Sequence, residues 1–239
     1  MSSAVRLPFG AGYYDLAPSK IICLGLNYRD HIRESVTVAA QGRSHDDPVE
    51  PVLFNKLPSS LAADGEAIVL PGILADYRFE DERTDYEGEI ALVMGRGGSD
   101  IPQEIALEHV LGVTVANDIS QRNIQKGDRS GWLRGKSFDS FCPVGPRLVA
   151  IGELDDPMDL GVETRLNGRI VQSGRSSQMI FSIPFMIHYI SRNFRLESGD
   201  MILTGTPSGV GPLVHGDQVE VTVESVGTLS NPVIDRRRE

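Results

Sequence analysis

Apolar residues along this chain fall into short runs separated by Gly, Pro and Asp, a spacing that suits strands better than helices. Residues 21–25, 51–56, 66–71, 86–95, 109–118, 145–151, 161–171, 200–207 and 218–233 read as strands. The unbroken apolar stretch from Ile90 to Met94 predicts a strand buried on both faces. Two segments depart from this pattern: 102–109 reads as a short helix, and 182–194 as a longer one with Pro184 in its first turn. After the strand at 21–25, residues 27–35 read as one or two helical turns, and 36–50 as a polar loop of the kind that forms lids. Residues 1 to about 18, with the pair Tyr13-Tyr14, read as an N-terminal extension before a single domain at 19–239. Many strands, frequent turns and few short helices predict a β-rich α+β fold.

The 239 residues can bury a substantial core, and no linker divides them. A net charge of −10 argues against nucleic acid or an anionic membrane as principal partner, and Arg236-Arg237-Arg238 reads as a solvated tail. Cys23 and Cys142 are too few for a disulfide scaffold and sit in apolar surroundings, which predicts buried free thiols in a reducing compartment. With no basic-then-apolar leader and no apolar stretch near eighteen residues, the expectation is a cytoplasmic protein.

The acids stand out against this background. Glu87 and Glu89 precede the Ile90–Met94 run, and alternate strand residues share a face. Asp118 similarly closes the apolar stretch 111–116. Two readings fit: solvated strand-edge charges with a turn-forming aspartate, or three carboxylates gathered on one hard divalent cation, where oxygen-only ligation favours magnesium, manganese or calcium. His31 and Glu34 are spaced to share a helical face, either as a surface pair or as a carboxylate-oriented imidazole able to activate water. Lys136 lies in a Gly-rich apolar stretch, as a solvated loop charge or an anion-binding group. Arg122 and Gln125 follow Asp118 at a spacing that puts all three on one helical face, solvent-facing or beside the metal. The glycine-rich run around Thr206 is a turn between strands or a cradle for an oxyanion; it lacks the GK[ST] ending of a phosphate loop.

In chain order, LGLNYRDHIRE, PVLFNKLPSS, DYEGEIALVMG, ANDIS with its following Arg, GKSFDSFCPVGP, SSQMIFSIPFMIHYIS and GDMILTGTPSGVGP resemble the fumarylacetoacetate hydrolase family over residues 21–224. The resemblance implies a mixed, rolled β-sheet fold, a homodimer, and one magnesium or manganese ion per site. It assigns Glu87, Glu89 and Asp118 to the metal, His31 and Glu34 to water activation, and Lys136 to the substrate. Arg122, Gln125 and Thr206 would hold the substrate's acid end, and the segment around 31–50 would be the lid. Asn123 stands where many relatives carry Asp, and Leu57 intervenes between Lys56 and Pro58 where many read Lys-Pro. The leading expectation is a metal-dependent hydrolase that cleaves a C–C bond of an acylpyruvate. A decarboxylase or isomerase of 2-oxo acids is the alternative on the same scaffold, and a metal-binding dimeric module without turnover is the non-enzymatic one.

Overall fold

The structure, a computed structural model, describes residues 5–34, 46–128 and 131–238. Its centre is a mixed seven-stranded sheet in the order β4 (Val52–Lys56), β3 (Ile21–Gly25), β14 (Met201–Leu203), β8 (Gly88–Met94), β9 (Val110–Asn117), β11 (Cys142–Ala150), β5 (Leu61–Ala62). Its two edge strands, β4 and β5, are consecutive in the chain. A flat sheet of this width would set its edges about 29 Å apart, whereas the stretch from residue 56 to 61 reaches at most about 18 Å. The sheet therefore rolls up.

The unbroken apolar run behaves as its sequence demands. Ile90 and Leu92 of β8 join one cluster, while Ala91 and Val93 join another on the opposite face, all of them at 0% exposure. The first cluster packs against α4 (Ile183–Asn193) and a five-stranded sheet in the order β13 (Arg169–Arg175), β12 (Gly161–Leu166), β16 (Gln218–Val223), β17 (Gly227–Asp235), β6 (Ile68–Leu70). α4 contributes Ile183, Met186, Ile187 and Ile190, the spacing of one helical face, and holds Pro184 in its first turn. On the opposite face, the hairpin of β1 (Val5–Phe9) and β2 (Gly12–Leu16) buries Val5, Leu7 and Leu16 against Cys23, Cys142 and Leu203. A three-stranded ribbon, β10 (Ser120–Gln121), β7 (Thr84–Tyr86), β15 (Gly211–Pro212), completes the sheets, and α1 (Arg29–Glu34), α2 (Arg122–Gly127) and α3 (Leu133–Lys136) surround the end where β8 begins and β9 stops.

Several boundaries differ from those read in the sequence. The segment 161–171 is not one strand: Asn167 and Gly168 both take positive φ, which turns the chain into the β12–β13 hairpin. Likewise 218–233 divides at Ser225 into β16 and β17. The helix at 102–109 is a 3-10 helix over Gln103–His109. Arg237 is no free tail, because its guanidinium grips both carboxylate oxygens of Glu82 at 2.7 Å and also bonds Asp235. Most of the lid expected at 31–50, residues 35–45, lies outside the described residues.

Candidate active site

Glu87 falls in the break between β7 and β8, and its amide donates to the Asn117 side chain at the end of β9. Glu89 is the second residue of β8, paired with Ala116, and Asp118 follows β9 directly. Pairing β8 with β9 thus fixes the three acids to one spot: a ligand oxygen from each lies within 4.8 Å of the others, and all three residues are buried. Asp118 does not share a helical face with Arg122 and Gln125, because α2 begins only at Arg122, after β10. The sheet turn, not a helix, brings them near.

Three buried cations answer these acids. Lys136 Nζ lies 2.5 Å from Glu87 and 2.6 Å from Asp118, with the Phe54 ring 4.7 Å away. Arg122 spans Asp85 at 2.8 Å and Glu87 at 2.5 Å, and donates to Gln125 at 3.1 Å. Lys56, to which the sequence reading gave no role, is 1% exposed and sits 2.5 Å from the other Asp118 oxygen. Four buried acids (Asp85, Glu87, Glu89, Asp118) face the buried Lys56, Arg122 and Lys136, with the partly exposed Arg83 2.7 Å from Asp85. Burial raises the Glu87 carboxyl, but Arg122, Lys136 and His31 outweigh it and hold it far below the usual carboxylate range. Glu89 goes the other way: burial first, then Asp118 and Glu87, push it well above that range. Among the described residues, it accepts one hydrogen bond, from the Gly205 amide at 2.7 Å. A converging all-oxygen donor set, in which no side-chain cation among the described residues bonds Glu89, fits a hard divalent cation.

The dyad approaches from α1. His31 Nδ1 is 3.2 Å from Glu34 Oε1, and Nε2 is 4.0 Å from Glu87. Glu34 is held in turn by the Gly209 amide at 2.8 and 3.0 Å and by that of Val210. Burial raises the Glu34 carboxyl, but the bonds from His31 and Gly209 prevail and leave it below its ordinary value. The loop after β14 needs its glycines: Gly205 has φ +94, and a Cβ there would meet the Asn27 Cβ at 2.9 Å. Thr206 Oγ1 donates to the Gly88 carbonyl and accepts from Gln172, so its hydroxyl is engaged within the protein. Asn123 binds the backbone of Asp81 and Arg83 and the Gln121 side chain. Leu57 stays 42% exposed and leaves Lys56 within the site.

The structure thus gathers Glu87, Glu89, Asp118, Lys136, Arg122, Gln125, His31 and Glu34 about one centre. Sequence reasoning missed Lys56, Asp85 and Gln172; the PVLFNK motif marked Lys56 only as the end of a strand. Cys23 and Cys142 are buried free thiols, burial pushing the first well up and the second to about 12. Among the described residues, no helix is long and apolar enough to cross a membrane.

Residues 20–234 match the family described as fumarylacetoacetate (FAA) hydrolase C-terminal. Oxaloacetate tautomerase YisK of Bacillus subtilis is 43% identical over 224 residues, covering 90% of this chain and 70% of that protein. The crystal structure of 5-carboxymethyl-2-hydroxymuconate delta-isomerase from Mycobacterium smegmatis is similar with TM-score 0.79 at 37% identity, over 95% of this chain and 84% of its own. Fumarylpyruvate hydrolase from Pseudomonas aeruginosa, in complex with Mn2+ and pyruvate, is similar with TM-score 0.85 at 28% identity, over 99% of this chain and 98% of its own.

Proposed function

From the premise that this chain belongs to the fumarylacetoacetate hydrolase family, we propose that it acts on 2-oxo acids through their enol form, as a keto–enol tautomerase of a 2-oxo diacid. The observation that carries the reading is the His31–Glu34 dyad, whose Nε2 stands 4.0 Å from Glu87 beside the acid cluster. With anionic Glu34 accepting the Nδ1–H, the Nε2 lone pair is free to take a proton from C3 of the keto acid. The C–H electrons become the C2=C3 bond, and the imidazolium returns its proton to the 2-oxo oxygen. Lys136 places its ammonium where charge gathers on that oxygen. The resemblance assigns Arg122 and Gln125 to the substrate's acid end; Thr206, whose one hydroxyl proton goes to the Gly88 carbonyl, has none to give an anion. A divalent cation held by Glu87, Glu89 and Asp118 would supply Lewis-acid polarisation of the 2-oxo group.

Hydrolysis of an acylpyruvate is the second reading, favoured by the likeness to fumarylpyruvate hydrolase along nearly the full length of both chains. There the same dyad would deprotonate a water that attacks the distal carbonyl. The protein with Mg2+ or Mn2+ is to be given the enol of oxaloacetate and, separately, acetylpyruvate. Faster loss of enol absorbance without CO2 release supports tautomerisation; acetate plus pyruvate from acetylpyruvate supports hydrolysis. CO2 release from oxaloacetate in step with enol loss would replace both with decarboxylation.

A further inference from the structure

β13 is an edge strand whose residues are all exposed or half-buried except Gln172, which is 1% exposed. A glutamine on such an edge ordinarily reaches into water; this one turns inward onto the start of β8. Its Oε1 accepts the Gly88 amide at 3.0 Å, and its Nε2 donates to Thr206 Oγ1 at 2.8 Å and to the Pro207 carbonyl at 2.9 Å. A backbone amide only donates and a carbonyl only accepts, so these partners fix which way the Gln172 amide faces. Thr206 Oγ1 accepts from Gln172, and its own proton goes to the Gly88 carbonyl at 2.9 Å. Gly88, Gln172 and Thr206 therefore close a ring of hydrogen bonds that engages both backbone groups of Gly88.

Gly88 lies between two of the acids. The pairing of β8 with β14 reaches only to Ala91 opposite Leu203, and at Gly88 these side chains take the place of a neighbouring strand. The five-stranded sheet clasps the same residue, where a Cβ would meet Thr164 Oγ1 at 2.2 Å and Val221 Cγ1 at 2.9 Å. The loop that Gln172 holds through Thr206 and Pro207 is also the one whose Gly205 amide bonds Glu89. The peptide planes on either side of Gly88 set where the side chains of Glu87 and Glu89 leave the backbone. Fixing those planes fixes how the two carboxylates converge.

We infer that Gln172 is a positioning residue of the metal centre, holding the Gly88 peptide through this ring so that Glu87 and Glu89 meet one cation. This rests on the reading of Glu87, Glu89 and Asp118 as metal ligands. Gln172→Met and Thr206→Val each keep the size and break the ring. In calorimetric titration each should bind Mn2+ about tenfold to a hundredfold more weakly than wild type, the scale for losing a group that orients metal ligands. Thr206→Ser retains the hydroxyl and should bind Mn2+ as wild type does. Asn231→Leu removes another buried amide, one that ties β17 to the Ala63 and Glu66 carbonyls, and should leave Mn2+ affinity unchanged whatever it does to the thermal midpoint. Wild-type affinity in Gln172→Met overturns the inference. So does an equal loss in Asn231→Leu, which would trace the effect to stability, or in Thr206→Ser, which would detach it from the hydroxyl. The two Thr206 variants carry the test whether or not Gln172→Met folds. Wild-type protein that binds no Mn2+ would overturn the ligand reading itself, and the inference with it.

Discussion

Glu89 carries the buried charge that the protein's own cations leave unanswered, and its neighbours make this worse. Asp118 and Glu87 each raise its carboxyl while Lys56, Arg122 and Lys136 are bonded to other acids. Glu89→Gln keeps the shape and removes that charge. The variant's thermal midpoint without metal should exceed that of wild type, at about 2–4 °C for each kcal/mol recovered in a chain of this size. Added Mn2+ should stabilise wild type and leave the variant unmoved; a variant that gains as much from Mn2+ as wild type would remove Glu89 from the metal. Glu87, Glu89 and Asp118 were legible in sequence because charged residues flanking apolar strand runs need a reason to be there. Lys56 was not, since nothing in local spacing says that its strand bends over an aspartate 62 positions on.

Elements explain how α1 is aimed. The Glu34 carboxylate, gripped by the amides of Gly209 and Val210, ties the end of this short helix to the loop after β14. Gly209 is required there: it has φ +101, and a Cβ would meet the Val171 carbonyl oxygen at 2.0 Å. Because the Glu34 carboxyl sits below its ordinary 4.5 in the folded protein, its contribution to stability is full above that value and is lost as pH falls through the lower folded one. Thermal midpoints measured from pH 6 down to pH 3, a window set about the ordinary carboxylate value, should fall less steeply for Glu34→Gln than for wild type; parallel curves would mean that the tie contributes nothing. At this scale the sequence was informative where periodicity was strong, as in β8 and α4. It misled at 161–171, where the alternation ran on through an Asn-Gly turn and concealed a hairpin. It also misplaced Asp118 on a helix, because an acid just after a strand and one just before a helix look alike.

For the molecule as a whole, the decisive feature is the roll that makes β4 and β5 the opposite edges of one sheet. It sets Lys56 at the end of β4 against Asp118 after β9, with β3, β14 and β8 between those strands in the sheet. Sheet order of this kind depends on pairings remote in sequence, which composition and periodicity do not encode; the family resemblance implied a mixed, rolled sheet but no strand order. The resulting centre joins acids from β8 and β9, cations from β4, α2 and α3, and the His31 imidazole from α1. Its central claim is that His31 moves a proton at C3 of a 2-oxo acid. The direct test is deuterium uptake at C3 of oxaloacetate in D2O, followed by NMR with Mg2+ present, for wild type and His31→Gln. Wild type should exceed the spontaneous rate, and the variant should lose about a hundredfold or more of that excess, the scale of a positioned acid–base group. Equal exchange by both proteins, or none above background from wild type, would contradict the account.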